Sequence, residues 1–174
     1  LTLASESEAE PLRLHTRLGA AVPITGYQVR ELGWGGWLVL GLEMPFVPQL
    51  GVAAEVGMLY LTDGKSPSHP GFVDQAEATA YSGAFAVHFR PFASNDPELI
   101  HGLSGVWASA SFGATQTGAL QRFMSDATLG YDVLIDDGTY ALGPYGSLLH
   151  VFQPDAEVLT FFIIEMADHL QQRP

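Results

Sequence analysis

The sequence contains no cysteine, few basic residues and no long run of apolar residues. Without cysteine, the chain cannot form a disulfide, bind a metal through a thiolate or use a cysteine nucleophile. Its 19 Asp and Glu residues outnumber its 7 Lys and Arg residues and give a formal charge of −12. This balance argues against nucleic acid as a partner, because proteins bind phosphates through basic patches. No apolar run approaches the ~18 residues of a membrane-spanning helix, so we do not expect a helical membrane protein.

The chain has 174 residues, of which 47% are hydrophobic, and this is enough for one domain. From residue 11 onward, apolar and polar residues alternate in segments of about ten residues, which clusters of Gly, Pro, Asp, Asn and Ser separate. The segments are residues 12–21, 34–46, 52–61, 80–92, 103–114, 121–135, 140–152 and 158–167. The pattern predicts an all-β fold, namely a closed, antiparallel, up-and-down transmembrane β-barrel of about eight strands.

The alternation is weakest in the fifth, seventh and eighth segments. The eighth is a continuous apolar run that a buried helix would also fit, and we expect it to be the closing strand. Pro45 is expected to mark the end of the second strand, because proline cannot donate a hydrogen bond to a neighbouring strand. Around a barrel domain at residues 11–168, we expect a flexible acidic segment at 1–10 and a tail or trimmed linker at 169–174.

Charged residues fall on one face of the predicted strands. They are Arg13, Arg17, Glu43, Glu55, Arg90, Arg122, Asp126 and Asp132. A Lys or Arg that faces lipid at the membrane midplane costs about 2 to 4 kcal/mol, so we expect this face to point into the barrel. An eight-stranded barrel is only wide enough for side chains to fill it. We therefore predict a structural network of balanced charges that plugs the interior without a pore.

The sequence offers no recognisable catalytic or metal-binding motif. His69, His88, His101 and His150 lie far apart, and none has a ligand-type partner at i+2 or i+4, which is poor spacing for a metal site. No Gly-x-Ser-x-Gly sequence is present to carry a serine nucleophile. We therefore predict a protein that is not an enzyme and has no catalytic residue, no cofactor and no metal site.

Several short motifs resemble those of the eight-stranded barrel domain of outer membrane protein A-type proteins. They are Glu31-Leu32-Gly33-Trp34-Gly35-Gly36, Gly130-Tyr131-Asp132, Leu142-Gly143-Pro144-Tyr145 and Gln153-Pro154-Asp155. The resemblance implies a barrel that anchors the protein in the membrane and, often, a separate periplasmic domain that binds peptidoglycan. This sequence ends without such a domain and without the terminal aromatic residue of self-standing barrels, so we expect a longer parent protein.

These observations predict a structural protein of a Gram-negative outer membrane that anchors a larger envelope protein or presents surface loops. Its expected partners are outer-membrane lipid, lipopolysaccharide and a fused or associated peptidoglycan-binding domain. Two alternatives stay open. A lipid-modifying barrel enzyme would use the inward-facing residues His15, Ser82, His88, Ser109 and Ser111. A soluble small-ligand barrel would have its apolar faces inside, because alternation alone does not say which face is buried.

Overall fold

A computed structural model describes residues 12–24, 32–64, 78–93, 104–118, 120–135 and 140–152, and the backbone of residues 156–169. Within these ranges the secondary structure consists of strands and turns, without a helix. It follows that the described part of the chain holds no helix with the length and apolar character needed to cross a membrane. The predicted acidic segment at 1–10 and residues 170–174 of the predicted tail lie outside the described residues.

The fold is all-β and antiparallel. Its strands are β1 (Arg13–Pro23), β2 (Leu32–Val47), β3 (Leu50–Asp63), β4 (Ala78–Phe89), β5 (Val106–Thr117), β6 (Leu120–Tyr131), β7 (Val133–Ile135), β8 (Tyr140–Gly143), β9 (Tyr145–Phe152) and β10 (Ala156–His169). They form one sheet in the order β1-β2-β3-β4-β5-β6-β9-β10-β8-β7. In addition, β1 pairs with β10, from Arg13 opposite His169 to Pro23 opposite Val158.

Two pairs of these strands are continuous in the chain. The strand β7 follows β6 after Asp132, and β9 follows β8 after Pro144, so counting each pair as one gives eight long strands. Both interruptions are bridged by backbone hydrogen bonds: Tyr131 donates to the carbonyl of Pro144 at 3.0 Å, and Asp132 donates to the carbonyl of Gly105 at 2.8 Å. The interruptions therefore lie within the sheet and do not divide it.

The strands lie close to where the alternation predicts them, with two main differences. The fifth begins at Val106 and continues to Thr117, where Gly118 follows with a φ of 59°, the left-handed conformation that glycine adopts without strain. The predicted end of the second strand at Pro45 is wrong, because β2 continues to Val47. A register shift between Pro45 and Val47 accommodates the missing N–H group there. The prediction of a strand for the eighth segment is confirmed, since β10 spans Ala156–His169.

Buried and exposed side chains alternate along the strands. We call the face with buried side chains the inner face and the opposite one the outer face. In β4, for example, Ala84, Ala86 and His88 are buried, whereas Phe85 and Val87 are exposed, Phe85 to 79%. In the fifth and seventh segments, where the pattern is weakest, the same alternation holds, with Trp107 and Tyr145 buried. The polar face of each clear segment is thus the inner one.

The inner face is divided along its length into an apolar half and a polar half. One cluster of buried apolar residues comprises Ala21, Trp37, Val39, Leu59, Leu61, Ala80, Ala84, Met124, Leu149 and Val151. These residues occupy the later part of β1, β3 and β9 and the earlier part of β2, β4 and β6. Because neighbouring strands are antiparallel, those parts meet at one end of the sheet. The opposite end of the inner face carries most of the charged and polar side chains.

Two glycines on opposite faces provide a test of the inner-face packing. A methyl group at Gly113 on the inner face would overlap the backbone of Gly83 and Ala84, whereas one at Gly83 on the outer face would contact nothing within 4 Å. We predict that Gly113→Ala lowers the free energy of unfolding by about 1 to 3 kcal/mol, because overpacking moves the backbone. Gly83→Ala, the control, should be neutral or raise it by up to about 1 kcal/mol. Urea unfolding measures both, and equal effects would contradict the assigned faces.

Candidate functional site

The polar half of the inner face is built around Arg17, a buried residue of β1. Its Nη2 donates to Glu55 Oε1 on β3 at 2.8 Å. Its Nη1 donates to Asp126 Oδ2 at 3.1 Å and to Thr128 Oγ1 at 2.6 Å, both on β6. Since β6 is not a neighbour of β1 in the sheet, the Arg17 side chain connects strands across the inner space. Both carboxylates are buried, so Arg17 supplies the charge that keeps them from being unpaired.

Asp126 receives further hydrogen bonds from hydroxyl groups. Thr128 Oγ1 donates to Asp126 Oδ2 at 2.9 Å, and Ser147 Oγ on β9 donates to Asp126 Oδ1. Thr128 and Asp126 are two residues apart on one strand, so the period of two places both on the inner face. Each carboxylate oxygen of Asp126 therefore has a donor, which offsets the cost of removing this charge from water.

A second ion-paired group lies where β2 ends and β4 ends. Buried Glu43 accepts two hydrogen bonds from Arg90, with Nη1 to Oε1 at 2.6 Å and Nη2 to Oε2 at 2.9 Å. Arg13 Nη1 lies 3.7 Å from the same Oε1. Gly51 makes room for this pair, because a methyl group there would overlap the Glu43 carboxylate. The fork-like contact of Arg90 is the strongest geometry for an arginine and a carboxylate.

Two histidines lie between these ion-paired groups. His15 Nε2 lies 3.1 Å from Glu55 Oε1, and His88 Nε2 lies 3.5 Å from the same oxygen. His88 Nδ1 also lies 3.8 Å from Glu43 Oε2, and the two imidazole rings are 4.8 Å apart between centroids. Gly41 on β2 leaves space for the His15 ring, which a methyl group at that position would overlap. We call His15, Glu55 and His88 the histidine–glutamate triad.

Trp107 extends the cluster towards the break between β6 and β7. Its indole Nε1 donates to Asp132 Oδ1 at 2.9 Å. Its ring is nearly parallel to that of His88, with a centroid distance of 6.2 Å and an interplanar angle of 28°. Gly130, opposite Trp107 in the register, leaves room for the indole ring. Asp132 is therefore connected to the histidines through Trp107.

The eight charged residues that the sequence assigns to the interior do not form one set of ion pairs. Six of them are paired, Arg17 with Glu55 and Asp126, and Glu43 with Arg13 and Arg90. Asp132 is half-buried and bonded to a neutral indole. Arg122 is half-buried beside the apolar half of the inner face, and no carboxylate of the described residues lies within ion-pairing distance of it.

Sequence reasoning left His15, His88, Trp107, Thr128 and Ser147 out of the charge network. Each of these residues occupies an inner-face position in the two-residue alternation of its strand. This alternation is the one feature of the sequence that could have assigned them to the interior. The spacing rule for metal ligands looks for partners within one segment. It cannot find the histidine–glutamate triad, whose members come from β1, β3 and β4.

The sequence was also compared with known proteins. A scan against protein-family models and a search of curated proteins each found no match to this chain. The resemblance to outer membrane protein A-type barrels therefore stays a prediction that rests on the short motifs, and the function is argued below from geometry.

The importance of Arg17 is testable with a matched arginine on the same face. Arg17→Met would leave the Glu55 and Asp126 carboxylates buried without their cation. We predict a loss of about 3 to 5 kcal/mol in the free energy of unfolding, the usual effect of breaking a buried ion pair. Arg122→Met, the control, should change it by less than about 1 kcal/mol, because that arginine has no ion pair among the described residues. Similar losses in chemical denaturation would contradict this account.

Proposed function

We propose that the chain forms a closed, transmembrane β-barrel in a bacterial outer membrane and acts there as a non-enzymatic anchor or structural envelope protein. One observation carries the proposal: the outer face is apolar and the inner face holds the charges. This distribution is the reverse of that in a water-soluble protein, whose exposed surface is charged and whose core is apolar.

Most side chains on the outer face of the described strands are apolar. Its exposed members on β2 alone are Trp34, Leu38, Leu40, Leu42, Met44 and Phe46. No Lys, Arg, Asp or Glu occupies an outer-face position in the strands whose side chains are described. In water an exposed apolar surface of this kind would drive aggregation. In a bilayer it is favourable, because no charged side chain has to be placed in lipid. The outer face therefore has the chemistry of a lipid contact.

The pairing of strands supports closure of the sheet. Because β1 pairs with both β2 and β10, it has no free edge. Every other strand except the short β7 also has a partner on each side. A spanning sheet must satisfy its backbone groups in this way, since lipid offers no hydrogen bonds to an open edge.

The interior contacts favour an anchor over a pore. Three arginines pair with three buried carboxylates in the polar half, and buried apolar side chains fill the other half. In a barrel of eight strands, side chains of this size fill the interior. The proposed partners are therefore outer-membrane lipid and lipopolysaccharide around the barrel. A fused or associated peptidoglycan-binding domain is the partner that the family resemblance implies.

The two alternatives are less well supported. A soluble barrel for small ligands needs its apolar faces inside, whereas here Phe85 and its outer-face neighbours are exposed. A lipid-modifying enzyme would need a serine and a histidine that lipid can reach. Ser109 lies opposite His88 in the register, but both side chains are buried on the inner face, away from the proposed lipid contact.

Transfer between buffer and lipid tests the proposal. We expect the urea-unfolded chain to fold into detergent micelles or phosphatidylcholine vesicles and to aggregate when diluted into plain buffer. The folded protein should migrate differently on a gel before and after heating, because a closed barrel resists the detergent until it is heated. A soluble β-protein of similar size, treated in parallel, is the control. A monodisperse, folded monomer in plain buffer would contradict the proposal.

A further inference from the structure

The histidine–glutamate triad brings three metal-ligand atoms together from three strands. One imidazole nitrogen each of His15 and His88 and one carboxylate oxygen of Glu55 all lie within 4.8 Å of one another. The residues are 2%, 6% and 1% exposed, so water does not compete strongly for them. Because β1, β3 and β4 hold the three residues in a packed sheet, the ligands are positioned before any ion binds.

The spacing fits a small metal ion. Zinc binds histidine nitrogen and carboxylate oxygen at about 2.0 to 2.2 Å, so two ligands of a tetrahedral site are roughly 3.3 to 3.5 Å apart. Glu55 Oε1 lies 3.1 Å from His15 Nε2 and 3.5 Å from His88 Nε2. Two of the three ligand pairs are thus close to the separation of a tetrahedral site, and the two imidazole ligand atoms lie within 4.8 Å of each other. An ion between the three groups would need the imidazole rings to move towards it by side-chain rotation.

His88 has an unsatisfied nitrogen that points into the triad. Its Nε2 is buried and has no hydrogen-bond partner among the described residues. A buried polar atom without a partner costs free energy, and a metal bond would remove that cost. With Nε2 on the metal, Nδ1 carries the proton and faces Glu43 Oε2, 3.8 Å away. A carboxylate behind a ligating histidine is the usual arrangement in metal sites, and Arg90 holds this carboxylate in place.

The local charge is compatible with a cation. Arg17 donates a hydrogen bond to the same oxygen of Glu55, and this positive charge opposes the binding of a metal ion. If the metal ion took that oxygen, Arg17 would still have Asp126 and Thr128 as partners. Asp132 adds a fourth carboxylate to the polar half. Four carboxylates, on Glu43, Glu55, Asp126 and Asp132, thus face three guanidinium groups, on Arg13, Arg17 and Arg90, and leave one negative charge in excess.

We propose that His15, Glu55 and His88 bind one divalent transition-metal ion, with zinc as the best fit to two imidazoles and a carboxylate. Three protein ligands leave a fourth position for water, which is the composition of an open zinc site. This inference differs from the expectation that the sequence contains no metal site. It does not rest on the proposed anchor function, because the triad needs only the inner-face packing.

Zinc stoichiometry of the wild-type protein is the first test. Tag-free protein is refolded in detergent with Zn²⁺ and separately given Zn²⁺ after folding, because buried ligands slow the entry of the ion. Both samples are then dialysed and analysed for metal. We expect one zinc per folded chain in at least the co-refolded sample, released by a strong chelator on unfolding. Folded protein that retains no zinc in either sample would overturn the proposal.

Variants then locate the ion. His15→Gln and His88→Gln each remove one ligand, whereas His150→Gln changes a histidine whose ring packs on Phe152 outside the triad. We expect each triad variant to bind zinc at least about tenfold more weakly, and the His150 variant to bind it unchanged. Triad variants with wild-type affinity would overturn the proposal.

A spectroscopic measurement covers the case in which a variant does not fold. Cobalt replaces zinc in such sites, and the folded wild-type protein should then show the strong visible absorption of four-coordinate Co²⁺ with nitrogen and oxygen ligands. The weak absorption of hexahydrated or carboxylate-bound Co²⁺ would overturn the triad as the site. A protein that fails to enter detergent micelles but binds zinc through the triad would contradict the anchor proposal and leave the metal site intact.

Discussion

The bonds of Arg17 to Glu55 and Asp126 are the interaction on which the rest of the structure depends. They join β1 to β3 and to β6, strands that are not adjacent to β1 in the sheet. The buried guanidinium group of Arg17 has two carboxylate partners and one hydroxyl partner. Its removal is costly, because both carboxylates would remain as buried, unpaired charges. The sheet can therefore keep its charges on the inner face, and the outer face of the strands whose side chains are described carries no charged residue.

The division of the inner face into two halves gives each half a different role. The apolar half, which includes Trp37 and Met124, packs as an ordinary hydrophobic core. The polar half contains the ion pairs and the histidine–glutamate triad, and its stability depends on satisfying every buried polar group. Among the described residues, the Nε2 of His88 is one of the buried atoms in that half without a hydrogen bond, and a bound metal ion would account for it.

Much of the fold was predictable because alternation with a period of two is a local property. It identifies the strands and their faces, including that of Asp126, without knowledge of the strand order. It cannot say which inner-face residues meet, because contacts such as that between Arg17 and Asp126 depend on strand order and register. Arg122 shares the predicted parity, but its position beside the apolar half separates it from the ion pairs. The interruption between β8 and β9 at Pro144 was likewise not predictable, because it involves a hydrogen bond from Tyr131 on β6.

The central claim is that the outer face contacts lipid, and site-directed spin labelling tests it most directly. The chain has no cysteine, so single cysteines at Phe85, Val87 and Asp63 can each carry one label. The first two side chains are exposed on the outer face of β4, and Asp63 is exposed at the end of β3. In phosphatidylcholine vesicles, labels at Phe85 and Val87 should collide mainly with lipid-soluble oxygen, and the label at Asp63 with a water-soluble nickel complex. Preferential access of the nickel complex to all three labels would contradict a membrane-spanning sheet.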